Sequence, residues 1–165
     1  MIAMSTTSVR PRPAAAAPEA APRGCTNYKL RQLARAVTRH YDAHVLPTGL
    51  KITQYSLLSH VLLTGPIQPS ELAERMHLDA STLSRNLQPL LAQGLLAQGP
   101  GADGRSRLID ATEAGRAKRA EGQRAWKQAQ LALNARLGTA RVAALHAMLD
   151  DCMAALDAAD EEEKS

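Results

Sequence analysis

The chain has no phenylalanine, one tryptophan and an aromatic share of only 2%. Strands favour β-branched and aromatic side chains, so this scarcity argues against a β-sandwich or barrel. Cysteine is scarce too. Cys25 and Cys152 form no CxxC pair and are too few for a disulfide framework, which predicts two free thiols. No apolar run approaches the roughly 20 residues that cross a bilayer. Pro13, Pro18 and Pro22 interrupt the N-terminal stretch, which therefore lacks the apolar segment of a secretory leader. These absences predict a cytoplasmic protein with no membrane partner. Catalytic signatures are missing as well: there is no Gly-rich phosphate loop, no GxSxG elbow, no HExxH and no nucleophile beside a base. The reading is no enzyme and no cofactor.

What the chain has is aliphatic. Its 165 residues fit one domain of about 100 to 200, and 45% of them are apolar. Alanine and leucine supply most of that share, which is the vocabulary of helices. The net charge of +4 suits a polyanionic partner, and its distribution is uneven. Between residues 25 and 64, Lys29, Arg31, Arg35, Arg39 and Lys51 face only Asp42; between 113 and 136, Arg116, Lys118, Arg119, Arg124, Lys127 and Arg136 face Glu113 and Glu121. Residues 65–112 are close to neutral, and 159–165 read as an acidic tail.

Residues 1–24 are Pro/Ala-rich with little to bury and are expected to form a disordered arm. A first helix follows, capped by Thr26 or Asn27, with Leu30, Leu33, Val37, Tyr41 and Val45 at three- and four-residue steps. Thr53 is the expected N-cap of a second, with Ile52 stapled on Leu57. Gly65-Pro66 ends it. A short helix over about 70–76 and another capped by Asp79 come next; then Leu95–Gln98 and Arg107–Asp110 read as strands around a glycine-rich turn. Thr112 caps a long helix to about Arg136. The last, from about Thr139 to Ala158, places Val142, Leu145, Leu149, Cys152 and Leu156 in a heptad seam.

Helix, turn, helix and hairpin in this order make a mainly α, winged helix-turn-helix architecture, whose second helix enters the major groove. At 100° per residue, Leu83, Leu87 and Leu90 fall within about 40° of one another, while Ser81, Arg85 and Gln88 fall opposite, flanked by Thr82 and Ser84. Hydroxyls, one arginine and one glutamine suit groove reading. An ordinary solvated face has the same pattern.

At Ile52–Leu58 (ITQYSLL), Glu71–Met76 (ELAERM), Asp79–Arg85 (DASTLSR), Leu90–Leu96 (LLAQGLL), Asp103–Arg107 (DGRSR) and Thr112–Gly115 (TEAG), the chain resembles the MarR family of bacterial transcriptional regulators, from Cys25 to about Leu156. The resemblance implies a homodimer on a palindromic double-stranded DNA operator. It divides the chain into N-terminal helices (25–64), a winged DNA-binding lobe (65–112) and C-terminal dimerisation helices (113–158). It also implies a wing in which Asp103 orients Arg105 toward the minor groove, with Arg107 beside them. Gly104 departs from the second basic residue many members carry there, and Pro89 interrupts the recognition helix.

The resemblance further implies repression relieved by a small-molecule effector or by oxidation. Arg31 and Arg35, one helical turn apart, can meet one carboxylate, with Tyr55 and His60 across from them and Trp126 as a stacking wall. Alternatively the two arginines are solvated. A redox input would rest on Cys25 at the first helix's N-terminus, where the dipole favours a thiolate; Cys152, in the seam, reads as a small hydrophobe. His40 and His44 have only Asp42 and His60 as further ligands and are read as lining an interface, with no metal site. A non-specific architectural DNA-binding protein is the competing function.

Overall fold

The computed structural model describes residues 23–101 and 106–163, with side chains to residue 159. Most of the expected arm, the wing tip with Asp103, Gly104 and Arg105, and the end of the acidic tail lie outside the described residues. Among the described residues, six helices and one hairpin run in the order α1 (Thr26–Val45), α2 (Ile52–Thr64), α3 (Pro69–Arg75), α4 (Ala80–Ala92), β1 (Leu96–Pro100), β2 (Arg107–Ala111), α5 (Glu113–Leu137) and α6 (Thr139–Glu163). A 3-10 turn at Leu46–Thr48 links α1 to the segment leading into α2. This is the mainly α winged helix-turn-helix that the sequence predicts.

Helix α2 is central, touching α1, α4, α5 and β2. Leu57, Leu58 and Val61 on it are fully buried, together with Val45, Leu50, Leu72, Leu90 and Ile109. Each such side chain contributes roughly 1.5–3 kcal/mol relative to exposure. The strands pair antiparallel, Leu96 against Ala111 and Pro100 against Arg107. Ile67, ahead of α3, exchanges two backbone hydrogen bonds with Ile109 (3.0 and 2.9 Å), which ties the helix-turn-helix to the hairpin.

Several ends differ from expectation, β1 among them, which runs Leu96–Pro100 instead of Leu95–Gln98. Cys25, not Thr26 or Asn27, is the N-cap of α1, and its side chain makes no capping bond. Helix α2 starts at Ile52, so Thr53 lies inside it. Its start is held by two side chains: the Ile52 N–H donates to Asp42 Oδ1 on α1 (2.7 Å) and the Lys51 N–H to Gln54 Oε1 in the helix's own first turn (2.8 Å). Helix α6 continues through Glu163, past the expected end at Ala158, because Ala, Asp and Glu carry no break that would stop it.

Thr112 closes the hairpin onto α5. Its hydroxyl donates to the Gly94 carbonyl (2.7 Å) and accepts from the Gly115 N–H (3.0 Å). At Gly115 a β-carbon would lie 2.0 Å from the Leu95 carbonyl oxygen, so this approach of α5 requires glycine.

Candidate nucleic-acid interface

Leu83, Leu87 and Leu90 bury one side of α4 against the lobe, and Ser81, Ser84, Arg85 and Gln88 are exposed opposite, with Thr82 half-buried. This is the face the angles predict. Pro89 lies within the helix, which nonetheless runs to Ala92; the Gln93 N–H bonds the Pro89 carbonyl (3.1 Å). Asp79 caps the start, accepting from the Thr82 N–H (2.8 Å), the Ser81 hydroxyl (2.6 Å) and the Thr82 hydroxyl (2.7 Å). These bonds, Ser81's foremost, hold its carboxyl well below the usual carboxylate range. Arg85 Nη2 donates to Ser81 Oγ (3.2 Å) and Thr82 Oγ1 (3.3 Å).

On the wing, exposed Arg107 donates to Gln98 Oε1 across the strands (3.3 Å). The loop base is closed by the Gly101 N–H on the Ser106 carbonyl (2.8 Å). Arg75 on α3 forms an exposed ion pair with Glu71 (2.8 Å), whereas Arg85 and Arg107 bond neutral groups. Among the described residues, neither guanidinium lies in an ion pair.

Of the expected effector residues, the fold gathers three. Tyr55, His60 and Trp126 line a cavity of about 410 Å³ between α1, α2 and α5, with Val37, Tyr41, Ser56, Ser59 and Leu63. The Tyr55 and Trp126 rings stack with centroids 6.4 Å apart and planes 24° from parallel. The His60 ring donates from Nδ1 to the Ser56 carbonyl (2.8 Å), which leaves Nε2 as its second polar atom. Arg31 and Arg35 are exposed on α1 and are not among the lining residues. Helical spacing puts them on one face of α1 but does not say which way that face turns; Ser56 and Ser59, which bring hydroxyls to the lining beside Thr38 and Tyr41, have no motif to mark them.

His40 donates from Nε2 to the Ala129 carbonyl (2.9 Å), and His44 from Nδ1 to the His40 carbonyl (3.0 Å), so both rings serve local packing. No group of three or more metal-ligating side chains occurs among the described residues. Cys25 and Cys152 are both exposed; the expected burial of Cys152 does not occur within the single chain. Neighbouring it, Leu149, Met153 and Leu156 are 37%, 48% and 68% exposed, and Leu30 and Leu33 on α1 are 48% and 38% exposed. A second, apolar groove of about 340 Å³ runs between α1, α5 and α6. No described helix is long and apolar enough to cross a membrane.

A sequence profile of the MarR family matches residues 48–106. The uncharacterized HTH-type transcriptional regulator YwoH of Bacillus subtilis (strain 168) is 26% identical over 86 residues, 52% of this chain and 63% of that protein. The M. tuberculosis transcriptional regulator MosR, solved in complex with DNA, is 32% identical; the overlay covers 78% of this chain and 98% of that one, with a TM-score of 0.64. Apo wild-type MarR from E. coli, at 21% identity, shares the fold, with a TM-score of 0.64 over 78% of this chain and 96% of that one. Profile and near-complete overlay converge on the same winged lobe, and the chain belongs to the MarR family of transcriptional regulators.

Proposed function

We propose that the chain is a homodimeric, sequence-specific DNA-binding repressor released by a small aromatic or anionic ligand. The observation that carries this is the exposed face of α4, where Arg85, Gln88 and the hydroxyls stand opposite a fully seated leucine stripe. Arg85 would read a base edge. Ser81, Thr82, Ser84 and Gln88 would surround it, and Asp103, Arg105 and Arg107 would carry the wing to the adjacent minor groove. DNA bound by the 32%-identical M. tuberculosis regulator supports the same use of this lobe.

Dimerisation is supported by the exposed apolar seam of α6 and the groove it shares with α1 and α5. The effector would enter the Tyr55–Trp126 cavity, whose walls suit one aromatic ring, and His60 Nε2, the ring's acceptor while Nδ1 donates to Ser56, would take an O–H of its phenolic or acidic group. This gives the polar contact to His60 and leaves Arg31 and Arg35 to the solvent. The exposed thiol of Cys25 keeps release by oxidation as the second reading.

Fluorescence anisotropy on DNA upstream of the chain's own gene, against scrambled DNA, tests the whole reading. Selective binding abolished by an aromatic acid, and weakened by Trp126→Ala only in its response to that acid, is the expected result. Loss with mild peroxide alone, prevented by Cys25→Ser, would move the input to the thiol. Equal affinity for operator and scrambled DNA would favour an architectural protein. Arg85→Ala should lower discrimination at one base pair per half-site by about 1–3 kcal/mol; a uniform loss over all sequences would contradict base reading.

A further inference from the structure

Four polar side chains at the start of α4, those of Asp79, Ser81, Thr82 and Arg85, form a chain of fixed polarity. The Ser81 hydroxyl lies 2.6 Å from Asp79 Oδ1 and the Thr82 hydroxyl 2.7 Å from Oδ2. A carboxylate only accepts, so both hydroxyl protons are committed to Asp79. The lone pairs of the same oxygens take the Arg85 guanidinium, at 3.2 and 3.3 Å. The Thr82 N–H on Oδ1 is an ordinary N-cap bond. The two hydroxyl bonds go beyond capping, because they set which way Ser81 and Thr82 face their next partner.

We propose that Asp79 is a positioning residue for base reading by Arg85: it turns Ser81 and Thr82 into pure acceptors, and these hold the guanidinium at the exposed start of the helix. This rests on the reading of α4 as the DNA-facing helix. Two consequences follow from the chemistry. Hydroxyls without a free proton cannot bond phosphate oxygens or the guanine O6 and N7 atoms, all of which are acceptors; they accept from the amino groups of cytosine or adenine. Donation toward DNA is then reserved to Arg85. The Asp79 charge also repels the phosphate backbone, so the arrangement gives up general affinity in exchange for discrimination.

Asp79→Asn separates positioning from capping. Asparagine caps as well as aspartate does, but its NH₂ group must face one of the hydroxyls and turn that proton outward. The full chain would be titrated by anisotropy against an operator selected from random DNA by the wild type, against each single base-pair variant of a half-site, and against scrambled DNA. The expected result for Asp79→Asn is tighter binding to scrambled DNA, with discrimination at the Arg85-dependent base pair reduced roughly 5- to 10-fold. Discrimination elsewhere stays constant. In an Arg85→Ala background the same substitution should leave that base pair unaffected.

The paired variant Ser81→Ala/Thr82→Val keeps the cap, and it should reproduce the lost discrimination without the gain on scrambled DNA. It decides the matter if Asp79→Asn melts below the wild type. An equal change at every base pair, or the same loss in the Arg85→Ala background, would reduce Asp79 to a helix cap and overturn the proposal. A wild type that selects no operator would overturn the DNA-reading of α4 itself, and Asp79's role with it.

Discussion

A methyl group at position 115 would sit 2.0 Å from the Leu95 carbonyl oxygen, a backbone atom that cannot swing aside. Alanine is the better helix former by about 1 kcal/mol, whereas forced overpacking costs typically 1–3 kcal/mol. At this distance the steric term should win. Gly115→Ala is therefore expected to lower the thermal midpoint, and a raised midpoint would show that α5 can draw back from the hairpin. Gly122→Ala is the comparison, since its β-carbon would meet the buried Tyr55 ring at 2.7 Å, a side chain rather than a backbone atom. Residues of this kind divide what sequence can and cannot tell. The leucines of α4 and the caps at Asp79 and Thr112 are legible because they obey local periods and local bonds. That Asp42 holds the Ile52 amide from ten residues away, or that Gly115 meets a backbone oxygen, depends on how elements dock.

Among elements, the joint between α4, the hairpin and α5 fixes where the proposed reading helix stands relative to the wing. Thr112 holds it from both sides, through the Gly94 carbonyl and the Gly115 N–H. Thr112→Val keeps the shape and removes both bonds, and a lost cap plus a lost hydrogen bond comes to about 1–2 kcal/mol. In a chain of this size that is a drop of roughly 2–4 °C in melting temperature for each kcal/mol. A shift below about 1 °C would mean that water replaces the hydroxyl. The strands themselves are legible from the change of period after Gly94, but the Ile67–Ile109 bridge is not, since one residue carries no period. The cavity between α1, α2 and α5 is legible only in part: Tyr55, His60 and Trp126 meet there, while Arg31 and Arg35 lie outside its lining, because spacing along α1 says nothing of its rotation against α2.

For the whole molecule the central question is what covers the seam. Val142 at the start of α6 is buried at 6% exposure, but Leu149, Met153 and Leu156 beyond it are open, as are Leu30 and Leu33 on α1. A stable partner would bury about 800 Å² on each side, and the proposed second copy would present the same face by two-fold symmetry. Two recognition helices must also lie about 34–36 Å apart to read successive major grooves, so the proposed operator binding depends on the pair. Leu149→Glu with Leu156→Glu places four like charges in that symmetric contact. The expected outcome is a monomer by sedimentation equilibrium, with each lobe still folded by circular dichroism and operator affinity reduced toward that of scrambled DNA. A variant that stays dimeric would move the interface off α6. One that becomes monomeric yet binds the full operator as tightly as the wild type would show that a single lobe suffices, and the homodimeric reading would fall while the lobe's own DNA-reading stood.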